Sequence, residues 1–163
     1  MTKTEQLQIR LSSEQKASIK AQAAQSGEDV SRWVLRRLLP PGALELEHLV
    51  EALSSPRTDR PLKLAAIHDF LERQTATDLK IAVGALNLSR LTPFEANYVA
   101  AMIETACSNK HVTPPEWLDD ILVLPDPWFA SNLKSLRLHL LTSSPPPFRR
   151  RNLFIDSTLG SRV

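Results

Sequence analysis

The chain has 163 residues, of which 42% are hydrophobic, and its formal net charge at pH 7 is only +2. Its single cysteine excludes an intramolecular disulfide. No apolar run approaches the roughly 20 residues of a membrane span, and the first residues lack a signal-peptide pattern, so we expect a cytoplasmic protein. So small a net charge excludes a nonspecific DNA coat, and the length allows a small module followed by a helical domain of about 120 residues.

The first predicted element is a short strand in which polar and apolar residues alternate. Its apolar face carries Leu7, Ile9 and Leu11, and its polar face carries Gln6, Gln8 and Arg10. Because a lone strand leaves its backbone groups unpaired, we expect it to pair with its copy in a second molecule. Such a ribbon fits the DNA major groove, where Gln bonds adenine and Arg bonds guanine. The alternative is that the polar side chains only form the solvated face of an ordinary strand.

Two helix patterns follow the strand. The first helix opens with the capping-box pair Ser12 and Gln15 and stops at Gly27. The second helix is capped by Asp29 and ends at the proline pair 40–41. It is so apolar that we expect it to be buried across a dimer interface, with Trp33 in the core. An exposed stacking role for the indole is the alternative.

The order of these elements resembles the ribbon-helix-helix repressors that serve as antitoxins in bacterial toxin-antitoxin pairs. The resemblance covers about the first 40 residues. It is carried by three stretches: Leu7-Gln8-Ile9-Arg10-Leu11, Ser12-Ser13-Glu14-Gln15-Lys16 with Ile19, and Gly27-Glu28-Asp29-Val30-Ser31-Arg32-Trp33-Val34. The last is similar to the family's Gly-x-Ser-x-Ser-x-aromatic-aliphatic turn, although Asp29 stands where the family often has Ser.

The resemblance implies that residues 1–41 form a DNA-binding and dimerisation module. In that family, outward strand residues read bases, and backbone amides at the start of the second helix hold a DNA phosphate. Carried over to this chain, the predicted DNA-binding residues are Gln6, Gln8, Arg10, Val30, Ser31 and Arg32. An acidic Asp29 beside a phosphate is unfavourable unless its side chain turns away.

Charge is distributed unevenly along the chain. Residues 1–40 carry a net +3, residues 41–126 carry −6, and residues 127–163 carry +5. Two copies of the amino-terminal module in a dimer would double the local positive charge at the groove.

Residues 42–110 are predicted to form a helical bundle. Apolar spacing and breakers predict helices over residues 44–53, 62–74, 77–88 and 94–107. The four histidines lack metal-ligand spacing, and there is no Gly-rich phosphate loop, so we expect neither an enzyme nor a bound cofactor or metal. We expect Cys107 to be a buried thiol rather than a nucleophile.

Residues 111–163 hold proline-fixed aromatic segments, a helix and a basic tail, and we predict that they bind a partner. The helix is expected to place Leu133, Leu136 and Leu140 on one face, and the prolines at 145–147 favour polyproline geometry. The apolar run 153–155 must be covered by the bundle, by a second copy or by another protein. The predicted partner-contact residues are Phe148, Arg149, Arg150, Arg151, Leu153, Phe154 and Ile155. Alternatives for the arginines are a solvated basic turn or an extended DNA footprint.

These patterns predict a mainly α-helical protein: a ribbon-helix-helix module, a small bundle, and a Pro/Arg-rich tail able to form a short strand. The resemblance implies that the chain is an antitoxin that acts as a homodimer. It would repress its own operon by binding operator DNA and neutralise a toxin enzyme, nucleotidyltransferase-like or an acetyltransferase, by direct contact. The alternative is a transcriptional regulator or a partner-binding adaptor with no toxin partner.

Overall fold

The computed structural model describes residues 8–27, 29–38, 41–55 and 59–156. The chain is mainly α-helical, which confirms the predicted fold class at that level. It divides into two compact units, Met1–Pro40 and Pro41–Val163. Among the described residues, no helix is both long and apolar enough to cross a membrane.

The first unit contains α1 (Ser13–Gln25) and α2 (Val30–Leu38). The second unit contains α3 (Pro41–Ser54), α4 (Arg60–Arg73), α5 (Ala76–Val83), α6 (Pro93–Asn109), α7 (Arg137–Ser143) and α8 (Pro146–Arg150). It also contains two 3-10 turns, Glu116–Asp120 and Lys134–Leu136, and two short strands, β1 (Trp128–Phe129) and β2 (Leu153–Phe154). The two strands pair in parallel, with Trp128 opposite Leu153.

In the first unit, α1 opens with the predicted capping box. The Ser12 hydroxyl accepts a hydrogen bond from the Gln15 amide at 3.2 Å, and the Gln15 side chain accepts one from the Ser12 amide at 3.0 Å. Gly27 adopts a φ of +67°, a conformation that costs glycine little, and α2 begins three residues later. The described part of the predicted strand is not paired in this single chain. Residues 8–12 are neither helix nor paired strand, and Leu7 lies outside the described residues.

The core of the second unit lies where its longer helices meet. Helix α3 packs on α4 and α5, and both of these pack on α6. Their inward positions recur at helical spacing, so each helix buries one apolar stripe. The fully buried side chains at the centre include Leu46, Ile67, Phe70, Leu71, Leu79, Val99 and Ile103.

Helix starts in the second unit follow their capping residues. Thr92 and Glu95 form a capping box at the start of α6, which begins at Pro93, one residue before the predicted start at residue 94. The helix predicted over residues 77–88 is wrong in both limits, because α5 spans Ala76–Val83. Thr75 caps it, since the Thr75 hydroxyl accepts a hydrogen bond from the Asp78 amide at 3.2 Å, and the helix ends before Gly84.

Residues 111–156 belong to the same compact unit as residues 41–110. Helix α8 packs on α6 and on β2, so the end of the chain returns to the helical core. Leu118, Phe148, Leu153 and Ile155 are part of one continuous buried cluster with the side chains of α3–α6. The tail is therefore a structural layer of the second unit.

The structure differs from two predictions for residues 133–147, the polyproline geometry of the three prolines and the shared face of three leucines. Polyproline geometry extends only to Pro145, with φ −57° and ψ 144°, and the next two prolines open α8. Proline fits there because the first helical turn does not use its N–H. The leucines predicted to share a face are separated by the 3-10 turn Lys134–Leu136, and of the three only Leu140 is buried.

Candidate functional site

The residues predicted to read DNA bases lie just before α1. Gln8 and Arg10 are exposed, and the aliphatic side chains of Ile9 and Leu11 are 57% and 47% exposed. Gln6 lies outside the described residues. Polar and aliphatic side chains thus alternate in a solvent-accessible segment directly ahead of a capped helix. Pairing with a second strand would satisfy the backbone groups of this segment and place the aliphatic side chains on one face of the ribbon and the polar ones on the other.

The predicted phosphate contacts lie at the start of α2. The first hydrogen bond of the helical ladder joins the Trp33 amide to the Asp29 carbonyl at 2.9 Å, so the amides of Val30 and Ser31 precede the ladder. Amides at this end of a helix form a favourable environment for an anion. Val30 and Ser31 are both exposed, and the side chain of Arg32 lies outside the described part of the structure.

Trp33 and Ala23 mark the buried side of this helix pair. Helices α1 and α2 pack together, Ala23 is 1% exposed and Trp33 is 8% exposed. The structure therefore places the indole as a core residue and not as an exposed stacking platform.

The four apolar residues predicted to contact a partner lie in the core of the second unit. Phe148, Leu153, Phe154 and Ile155 are each at most 9% exposed. The Phe154 ring stacks on Phe129 with centroids 4.9 Å apart, and Phe148, Leu153 and Ile155 join the buried cluster of α3–α6, so the second unit itself covers the apolar run. This placement replaces the expected partner contact with contacts inside the chain.

Arg151 is also buried, although it belongs to a basic triplet. Its guanidinium donates hydrogen bonds to the Glu104 carboxylate, to the Leu118 carbonyl at 3.0 Å and to the Asn97 side-chain oxygen at 3.4 Å. The Asn97 amide group in turn donates to the Leu122 carbonyl at 2.9 Å. Arg151 thereby ties the end of α8 to α6 and to the turn Glu116–Asp120.

The other two arginines of the triplet lie at the surface. The Arg150 side chain is 71% exposed and donates to the second oxygen of Glu104 at 3.0 Å, and Arg149 is exposed. The alternative of a solvated basic turn therefore describes Arg149 and Arg150 but not Arg151.

Sequence reasoning missed the partners of Arg151. Asn97 and Glu104 are seven residues apart in α6, so they lie on the same face two turns apart. Ala100 and Ala101, which lie between them on that face, are fully buried. Two polar residues at this spacing in an apolar helix indicate a buried polar contact, although they do not identify the arginine that supplies it.

Two features bear on the chemistry of the described side chains, the arrangement of their metal-ligating groups and the state of Cys107. None of their His, Cys, Asp and Glu side chains form a group that could hold a metal ion. Burial, followed by the nearby Glu104 carboxylate, raises the pKa of the Cys107 thiol and disfavours the reactive thiolate. An open cleft of about 440 Å³ near the turn Glu116–Asp120 has a mainly apolar lining, in which Asp120 is the ionisable residue.

Comparison of the chain with models of protein families, with curated proteins and with solved structures found no match.

Proposed function

We propose that this protein is a repressor of the antitoxin class that acts in the cytoplasm. Two copies would pair through residues 7–11 and present Gln6, Gln8 and Arg10 to the major groove of operator DNA. The second unit would bind and inhibit a toxin enzyme. The observation that carries the proposal is the exposed alternation of polar and aliphatic side chains at residues 8–11, directly ahead of α1.

The energetics of this segment favour pairing with a second copy. Burying an aliphatic side chain completely contributes about 1.5–3 kcal/mol, and Ile9 and Leu11 each expose roughly half of theirs. A dimer would cover four such side chains and would also pair the backbone N–H and C=O groups of both strands. The polar side chains would then face away from the dimer core, where a major groove can receive them.

The start of α2 supplies the second kind of DNA contact in the proposal. Val30 and Ser31 are exposed, and their amides lie at the positive end of a helix, where a phosphate is stabilised. Each first unit carries a net +3, and a dimer would bring two of them to the same DNA. Binding should therefore weaken as the salt concentration rises.

The test is binding of the purified chain to the DNA upstream of its gene, measured by fluorescence anisotropy over a salt series. We expect Arg10→Ala to weaken specific binding by about 1–3 kcal/mol, which is roughly 5–150-fold, because a bidentate base contact is lost. Arg90→Ala is the matched control, since Arg90 is an exposed arginine in the second unit whose partner is Glu51.

Two results would contradict the DNA-binding part of the proposal. One is equal affinity for the upstream DNA and for an unrelated duplex. The other is an Arg10→Ala variant that binds the upstream DNA as tightly as the wild-type chain. In the first case the first unit would serve dimerisation alone, and the adaptor hypothesis would replace the repressor hypothesis. In the second case Arg10 would make no base contact, and the ribbon would lose its proposed role.

A further inference from the structure

Exposed leucines are concentrated in one short stretch of the second unit. Of the five leucines between residues 133 and 141, only Leu140 is buried. The exposed ones are Leu133 (62%), Leu136 (39%), Leu138 (73%) and Leu141 (42%). Single exposed aliphatic residues are normal on a protein surface, but a cluster of large ones is typical of an interaction site.

The residues on either side of Leu138, at the centre of this cluster, are held in place by contacts inside the chain. Leu138 lies between two polar side chains that both have partners. The Arg137 guanidinium lies over the Phe129 ring, 5.1 Å from its centroid, and His139 Nε2 is 3.1 Å from a carboxylate oxygen of Asp156. Leu138 itself remains 73% exposed. A face that is already ordered loses little conformational entropy when it binds, which favours a shaped protein pocket as its partner.

The charge of the stretch indicates the chemistry of that partner. Residues 131–143 contain Lys134 and Arg137 but no carboxylate, and the Asp156 carboxylate beside them lies against His139. Leu138 and Leu141 are one helical turn apart on α7, so together they can enter an apolar groove. A groove that also satisfied the neighbouring cations would carry Asp or Glu at its rim.

Two other occupants fit these observations less well. DNA would satisfy the cations, but it offers little apolar surface to two adjacent leucines. A second copy could offer the acidic surface of Glu45, Asp69 and Glu72 on α3 and α4. Such a pairing joins different faces of the two copies, however, and unless the rotation closes a ring it continues into an open filament.

We propose that Leu138 and Leu141, with Arg137 beside them, form the surface that binds the toxin protein, through an apolar groove with an acidic rim. This inference rests on the proposed antitoxin function and assigns its partner contact to α7 instead of the buried tail.

The test uses the full-length chain and, as the probe, the purified product of the gene adjacent to its own. The variant Leu138→Gln/Leu141→Gln keeps helix propensity and side-chain length while it removes the apolar surface. We expect its affinity for the probe to fall about 100-fold, with its circular dichroism and its affinity for operator DNA unchanged. Leu62→Gln is the matched control, because Leu62 is also 73% exposed but lies on α4.

Charge is tested by Arg137→Gln, with Arg90→Gln as its control. We expect Arg137→Gln to weaken binding and to make the remaining affinity less dependent on salt, because one screened attraction is lost. If the two arginine variants bound the probe with equal salt dependence, the proposal that the partner's groove has an acidic rim would be overturned.

The remaining outcomes separate the two proposals. If the wild-type chain binds the probe and Leu138→Gln/Leu141→Gln binds it equally well, the α7 surface is refuted while the antitoxin function stands. If the wild-type chain does not bind the probe, the antitoxin function is refuted, and the α7 inference with it. If the double variant instead lowers the mass of the free chain in solution, the surface belongs to a second copy, and the proposed toxin contact is refuted.

Discussion

Replacing Arg151 with methionine should destabilise the second unit far more than the same change at Arg150. Arg151 is 6% exposed, and its guanidinium donates hydrogen bonds to Glu104, Leu118 and Asn97. Methionine fills part of the space but leaves the Glu104 carboxylate, whose side chain is 11% exposed, with only the surface arginine as a partner. Removing one member of a buried ion pair costs about 3–5 kcal/mol. The Arg150 side chain is 71% exposed, and a surface pair of this kind contributes about 0–1 kcal/mol.

The assay is urea unfolding of the full-length variants followed by far-UV circular dichroism. With a typical denaturant slope, a loss of 3–5 kcal/mol lowers the unfolding midpoint by about 2 M, whereas Arg150→Met should move it by less than about 0.5 M. The double variant Arg151→Met/Glu104→Met should regain much of the lost stability, because it leaves no unpaired buried carboxylate. Equal midpoints for the two single arginine variants would refute the assignment of Arg151 to the core.

Two further predictions concern Asn152 and Cys107. Asn152 has a φ of +58° and donates a hydrogen bond to the Leu124 carbonyl at 2.7 Å. In urea unfolding, Asn152→Ala should lower the free energy of unfolding by about 2–3 kcal/mol and Asn152→Gly by only about 1 kcal/mol, because glycine adopts a left-handed conformation without strain. Equal losses would show that left-handed strain contributes nothing. Cys107 is fully buried and burial raises the pKa of its thiol, so labelling by a thiol reagent should be slow in buffer and accelerate with urea. Because the folded pKa is the higher one, the stability linked to this thiol is present below the ordinary thiol pKa and is lost as pH rises above it, and rapid stoichiometric labelling of the native chain would contradict its burial.

Local capping chemistry explains which parts of the fold could be predicted. Ser12 and Gln15 are three residues apart, and so are Thr92 and Glu95, so the sequence itself contains the hydrogen-bonding partners that start α1 and α6. Gly27 likewise supplies a left-handed turn without help from distant residues. The start of α5 differs from the predicted start at residue 77 because threonines at both 75 and 77 precede the same apolar pattern, and only the hydrogen bond from the Asp78 amide identifies Thr75 as the cap.

The tail could not be placed from local chemistry because its partners are distant. Arg151 pairs with Glu104, which is 47 residues earlier, and Ile155 donates to Ser144, which is 11 residues earlier. In the sequence, Arg149, Arg150 and Arg151 form a uniform basic run, and nothing local shows that the last of them is buried. The same limit applies to α7, where the 3-10 turn changes which leucines face outward. The candidate DNA-binding residues follow a short local pattern, whereas the candidate partner surface depends on tertiary packing.

The buried tail also decides how the two proposed binding activities can be separated. Leu153 and Ile155 each contribute about 1.5–3 kcal/mol through burial, and a domain has only about 5–15 kcal/mol of net stability. Deleting the tail would therefore unfold the second unit, and loss of toxin binding after such a deletion would not identify a contact. Arg10 and Leu138 lie in different units, and both are exposed, so substitutions there leave the cores intact. If the two proposals hold, Arg10→Ala weakens binding to operator DNA and leaves toxin binding unchanged, while Leu138→Gln/Leu141→Gln weakens toxin binding and leaves operator binding unchanged. Unfolding of one unit alone would also abolish only that unit's binding activity, so the reciprocal pattern supports the two proposals when both variants keep the wild-type circular dichroism and unfolding midpoint.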